Sequence, residues 1–353
     1  MQHYQERNKK ALKMGEESSI YYTRLDKVDR MEIEWLWKPF LPLGKISILR
    51  GDPGQGKTSF ALALAAMVSN GAVPPKSEEA CKQGDVLIIS AEDDINDALA
   101  PRLDKLGANE ERVHFAHDIL RGEPLTFTSD DFTGLLRFTN PSLLIVDPIQ
   151  AFLGSGVDGY RANEVRPIMS RLMNLAREHN TAILLIEHLN KNAGGKAIHR
   201  GLGSMDFAAA ARSVMMIGTN PNNRDEKGVA LVKSSYAADG EVLGFRIDEG
   251  GLRWDEDSNI QYHTITGEPR PSGYRPYDGS SNEAALHKAV FFLEEVLKHG
   301  KRASKEIHVL AEGSNIKEMT LRRAREVLNV NCTEVTGYGK DRVVYWKLPD
   351  EAV

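Results

Sequence analysis

Residues 51–59, "GDPGQGKTS", place three glycines, a lysine and a hydroxyl at the spacing G-x-x-x-x-G-K-[ST]. Gly51, Gly54 and Gly56 let a backbone turn its N–H groups inward, which makes a concave cradle for anions. An apolar run ends at Arg50 and a helical pattern starts near Lys57, so the positive end of a helix adds to the cradle. In this arrangement Lys57 reaches the β- and γ-phosphates of a nucleoside triphosphate, and the Thr58 hydroxyl ligates Mg²⁺. Asp52, Pro53, Gln55 and Ser59 complete the binding segment. A glycine turn without a ligand is the plain alternative, and the strand-to-helix placement argues against it.

Two carboxylates complement the cradle. "LLIVDP" (143–148) is an apolar strand ending in Asp147, where a carboxylate orients a Mg²⁺ shell. "IISAEDD" (88–94) puts Glu92 just past the tip of the strand that follows the cradle's helix, in position to polarise an attacking water. The competing reading makes Glu92, Asp93 and Asp94 a cluster that caps the following helix.

Such side chains need rigid strands behind them. Short apolar runs occur at 45–50, 85–90, 142–147, 181–187, 213–218 and 229–233. Several are apolar almost throughout, as in strands covered on both faces by helices. Intervening segments such as "SFALALAAMVSN" carry apolar residues at helical spacing. The expected fold is α/β with a mostly parallel central sheet over residues 31–255. Residues 1–30 read as a polar arm. Residues 256–282, rich in Pro, Gly and Ser, read as a linker. Residues 283–353 read as three helices and a terminal hairpin, a winged helix-turn-helix. "EWLWKPFLP" (34–42) reads as packing rather than as a ligand platform.

The 353 residues suffice for two domains, and a formal net charge of -5 gives no global attraction to nucleic acid. Cys81 and Cys332 are too far apart for metal or disulfide spacing, which suggests a reducing compartment. No run approaches the roughly 18 apolar residues of a membrane span, so a cytoplasmic protein is expected.

Taken together, "WLWKPFLPLGKISILRGDPGQGKTS", "SAEDD", "LLIVDPIQAF", "IEHLNK" and "GLGSMDFAAAARSV" resemble a RecA-like P-loop ATPase over residues 31–235. The likeness is to RepA-type hexameric replicative helicases of plasmids and related phage ATPases. It implies ATP and Mg²⁺ as ligands, a homo-oligomeric ring and single-stranded DNA as partner. It places Glu92 as the catalytic carboxylate and His188 as the γ-phosphate sensor. A second histidine common in that family is Glu187 here. The resemblance also makes Arg212 a cation donated to the neighbouring subunit and Lys233 a second one. An arginine found two residues later in related rings is Ser235 here.

Residues 190–203 then correspond to a DNA-facing loop, with Lys191, Lys196 and Arg200 neutralising phosphates. Tyr160 and Arg161, in a second loop, can join it, and an ordinary solvated loop is the alternative. In the C-terminal segment, Arg322, Arg323 and Arg325, with Lys317, load one helix with positive charge, and Lys340 and Arg342 sit on the wing. That surface suits DNA or a replication partner protein. The leading expectation is a Mg²⁺-dependent, DNA-translocating ring helicase of a mobile element. The alternatives are an ATP-switched loader or recombination mediator that does not unwind, and a winged-helix regulator toggled by ATP.

Overall fold

The computed structural model describes residues 12–13, 21–116, 125–189, 201, 205–271, 282–298, 300–314, 316–328, 330–336 and 343–348. The chain divides into two compact units, Met1–Tyr277 and Asp278–Val353.

In the first unit a nine-stranded sheet carries the architecture. Its parallel part is built from β3 (Ile46–Gly51), β4 (Val86–Ser90), β5 (Val113–Ala116), β6 (Leu143–Asp147), β7 (Ala182–His188) and β8 (Ser213–Asn220), after a short hairpin of β1 (Trp35–Trp37) and β2 (Leu41–Pro42). An antiparallel extension follows: β9 (Asn223–Ser234), β10 (Val242–Asp248) and β11 (Gly251–Asp255). The spatial order is β11-β10-β9-β8-β3-β7-β6-β4-β5. β3, which feeds the glycine-rich segment, is therefore central, flanked by β7 and β8. The sheet is mixed: parallel where the apolar runs are continuous, antiparallel on one side.

Both faces are covered, as those continuous runs require. One face packs α1 (Lys57–Asn70), in which every residue from Phe60 to Ser69 is buried. An all-round apolar helix of this kind belongs inside a core. Trp37 joins it through Phe60 and Trp254, with ring centroids 6.1 and 5.5 Å away, so the aromatic 34–42 segment is packing material. The other face packs α3 (Asp130–Thr139), the amphipathic α4 (Ala162–His179) and α5 (Met205–Ala210), preceded in the chain by α2 (Ala100–Lys105) on the first face.

The segment expected to be a linker from residue 256 starts as core. Ile260, Tyr262 and Ile265, the last two on the short α6 (Tyr262–Thr266), are buried with Met216, Ala230 and Val232. Local composition concealed three apolar anchors among small and polar residues. In the expected N-terminal arm, Leu12–Lys13 pairs antiparallel with Tyr21–Tyr22.

The second unit comprises α7 (Asn282–Leu297), β12 (Arg302–Ala303), α8 (Ser304–Gly313), α9 (Glu318–Val327), β13 (Asn331–Thr336) and β14 (Val343–Lys347). Its sheet runs β12-β14-β13, one strand more than the expected hairpin. Leu293, Ile307, Leu321, Ala324 and Trp346 are among its core residues. Among the described residues, no helix is long and apolar enough to cross a membrane.

Candidate active site

The parallel strands end together, and their tips enclose a cavity of about 680 Å³. Its lining brings the glycine-rich segment (Pro53, Gly54, Gly56, Lys57, Thr58, Ser59) together with Glu92, Asp147 and His188. Gly56 takes the N-cap place of α1 at φ 94°, and no side chain caps the helix there. The first-turn N–H groups are thus left for a ligand. A Cβ at Gly56 would collide with Ile247, and Gly54 also holds a positive φ of 76°. Both conformations select glycine.

Lys57 is folded back onto the cradle, its Nζ donating to the carbonyls of Gly51 at 2.9 Å and Asp52 at 3.0 Å. Burial lowers its pKa, opposed by the charges of Asp147, Glu92 and Asp52. The Thr58 hydroxyl donates to Asp147 Oδ2 at 2.7 Å. Burial raises the Asp147 pKa, against the lowering effect of that hydrogen bond. A hydroxyl and a desolvated carboxylate in contact beside an anion cradle are the oxygen donors that suit Mg²⁺, so the residues present fit the ion.

Glu92 stands at the mouth of the cavity, where its Oε1 is 3.0 Å from His188 Nε2. The other ring nitrogen, Nδ1, is buried with no hydrogen-bond partner. The helix-capping alternative belongs to a neighbour: Asp94 Oδ1 accepts from the backbone N–H groups of Asn96 and Asp97. Asp93 pairs with Arg102 at 3.1 Å.

Two charged lining residues carry no signal in the sequence. Lys227 on β9 lies beside Gly56, and its Nζ donates to Thr219 Oγ1 at 2.9 Å. Thr219 in turn hydrogen-bonds Gln55 of the cradle. Arg102 lines the main cavity and an adjoining recess of about 190 Å³, walled by Leu62, Leu106, Ile247 and Leu252. Neither has a local signal. Lys227 arrives through the register of an antiparallel extension, and Arg102 ten residues after Glu92 through a helix.

Arg212 and Lys233 lie elsewhere. Ser213 pairs with Ser47 and Val214 with Lys233, at the start of β3 rather than at its Gly51 end. The sheet thus separates both from their own chain's cradle by about 15 Å. Arg212 is exposed there. Lys233, expected as a second cation for a neighbouring subunit, is engaged within its own chain. Its Nζ donates to the carbonyls of Ala208 at 2.7 Å, Ala209 at 3.2 Å and Ala211 at 2.8 Å, closing the C-terminus of α5. The expected DNA contacts Lys191, Lys196 and Arg200 lie outside the described residues, as do Lys340 and Arg342. Arg322 and Arg323 are exposed on α9, whereas Arg325 is half-buried and lies over the Trp346 ring at 5.2 Å.

With this geometry in place, the comparisons with known proteins are decisive for the chemistry. Residues 22–194 match the AAA domain family. This part of the chain is a P-loop ATPase domain. It is built on a RecA-like α/β core. Among curated proteins it is similar to the DNA repair protein RadA of Streptococcus pneumoniae, at 21% identity over 248 residues, 69% of this chain and 51% of that one. RadA of Bacillus subtilis is 26% identical over 214 residues, 59% of this chain and 40% of that one. The ATPase thus spans about half, or less, of the length of these relatives. Among solved structures, a RadB recombinase matches with a TM-score of 0.43 and 18% identity, covering 60% of this chain and 91% of that one. The resemblance to RepA-type replicative helicases does not hold: the curated relatives are RadA proteins. A P-loop with carboxylates at neighbouring strand tips does not by itself separate the two groups.

Proposed function

We propose that this ATPase is an ATP-switched, single-stranded-DNA-binding mediator of strand exchange or repair that does not itself unwind duplexes. The observation that carries the reading is the His188–Glu92 hydrogen bond at the tip of β7. The same strand runs on through Leu189 into the glycine-rich stretch bearing Lys191, Lys196 and Arg200. Only Leu189 and Asn190 separate His188 from Lys191 in the sequence, so a change at the γ-phosphate has a short path to positive charge. The names of the RadA relatives support a role in DNA repair.

In this reading the cradle and Lys57 hold the triphosphate, and Lys227 adds a cation beside Gly56. Thr58 and Asp147 hold Mg²⁺, which when bound neutralises charge on the phosphates. Glu92 orients and polarises the water, and His188 holds Glu92 until the γ-phosphate competes for the imidazole. The nucleobase enters the recess beside Arg102, whose apolar walls suit a flat ring. Tyr160, exposed before α4 with Arg161 beside it in the chain, offers a stacking face for a base. Arg212, unable to reach its own cradle, serves the neighbouring copy in a ring or filament. The order helix, strand, helix, helix, strand, strand in residues 282–348 supports a winged helix-turn-helix, with Arg322 and Arg323 toward DNA phosphates.

Fluorescence anisotropy of a labelled oligonucleotide tests the switch. Affinity for single strands should be at least about tenfold higher with a non-hydrolysable ATP analogue than with ADP. A forked duplex should remain annealed under ATP. Equal affinity in both nucleotide states contradicts the mediator, and vigorous ATP-driven displacement makes the protein a motor.

A further inference from the structure

Beneath the site lies an ion pair that none of the steps above uses. Arg50 and Glu187, 2% and 1% exposed, are paired at 2.5 Å between Arg50 Nε and Glu187 Oε2. They stand opposite each other in the β3–β7 register, one position before Gly51 and His188. Glu187 Oε1 is buried with no hydrogen-bond partner. Two apolar side chains would join these strands at lower desolvation cost, so such a pair is weak as a source of stability. Its position is more informative. One member leads directly into the phosphate cradle and the other into the residue that holds Glu92.

Gly201 meets the same pair. It forms an isolated antiparallel bridge with Leu189. A Cβ at Gly201 would lie 2.5 Å from an Arg50 guanidinium nitrogen and 2.6 Å from Glu187 Oε1. Only a glycine lets the backbone come this close.

We propose that Arg50 and Glu187 form a positioning pair for ATP hydrolysis. The pair fixes the β3 and β7 tips relative to each other, so that His188 meets Glu92 across the cradle, and Gly201 clamps β7 against it. Neither residue touches the nucleotide; both act through His188. The inference rests on the reading that Glu92 activates water under the control of His188.

The test is the double variant Arg50→Met/Glu187→Leu in the full chain, followed by ATPase kinetics, fluorescent-nucleotide affinity and thermal melting. It should melt no lower than the parent and bind nucleotide within about threefold, yet lose tenfold or more in kcat. Parental kcat in a stably folded double variant overturns the proposal, because a merely structural pair is replaceable. If the double variant does not fold, Gly201→Ala decides. That single methyl displaces the pair and should lower kcat at least fivefold with nucleotide affinity retained; unchanged kcat overturns the proposal. Glu92→Gln run in parallel separates the two levels. If it hydrolyses ATP at the parental rate, the reading of the site fails. If it is inactive while the double variant is fully active, only the positioning role fails.

Discussion

At the residue scale the site is governed by which polar groups are taken out of water and what meets them there. Burial pushes the Asp147 carboxyl up and the Lys57 amine down, so both charged forms are more weakly held before phosphate and cation arrive. Glu92 differs: it is exposed, and its geometry comes from His188. Glu92→Gln should therefore lower kcat by about 10²–10⁴-fold while nucleotide affinity changes little, as read by steady-state rates beside equilibrium binding. Lys57→Ala should instead abolish binding itself, because its ammonium is the mobile charge of the cradle. Lys57, Thr58, Glu92, Asp147 and His188 could be read from the chain because each sits within a few residues of a strand tip. Lys227 and Arg102 could not, since long-range register and helix rotation decide where they point.

Among the elements, some reach their places through their own periodicity and others through a few anchors. The continuous apolar runs at 45–50, 85–90, 142–147 and 181–187 became parallel strands because only two-sided cover suits them. The 256–266 stretch hid Ile260, Tyr262 and Ile265 among residues typical of linkers, and only the apolar face of β8 and β9 that they cover makes sense of them. Burial of Tyr262 raises its phenol to about 12. A raised folded value means that the protonated phenol is favoured in the native state. Its contribution is complete below about pH 10 and is lost as pH rises through the folded value. Melting temperatures taken between neutral and strongly alkaline pH should fall less steeply for Tyr262→Phe than for the parent. Lys233 provides a second test of an element. It ties three carbonyls at the end of α5, so Lys233→Met should cost about 1–2 kcal/mol in urea unfolding. A subunit-donated catalytic cation would instead leave stability unchanged and remove activity.

For the whole molecule, the question is where chemistry passes from one copy to the next. Arg212 lies at the opposite end of the sheet from its own cradle, the placement on which its proposed role toward a neighbouring copy rests. Arg212→Ala and Glu92→Gln should each be inactive alone. Mixed in equal amounts, they should recover about a quarter of parental ATPase, since one interface in four then pairs an intact Glu92 with an intact Arg212. No recovery on mixing would confine Arg212 to its own subunit. The P-loop chemistry was legible because it lives in a contiguous motif. The choice between a helicase and a mediator was not, because a phosphate-binding motif specifies the ligand and not the work done with it. What an assembly does with DNA depends on surfaces that the motifs do not encode.

The most direct measurement is the ATP hydrolysis rate with and without single-stranded DNA, for the parent chain and for His188→Ala. The account predicts severalfold stimulation of the parent by DNA and its loss in His188→Ala, which should keep a basal rate and ordinary nucleotide affinity. A parent rate indifferent to DNA, or full stimulation without the imidazole, would contradict the coupling of β7 to the cationic segment.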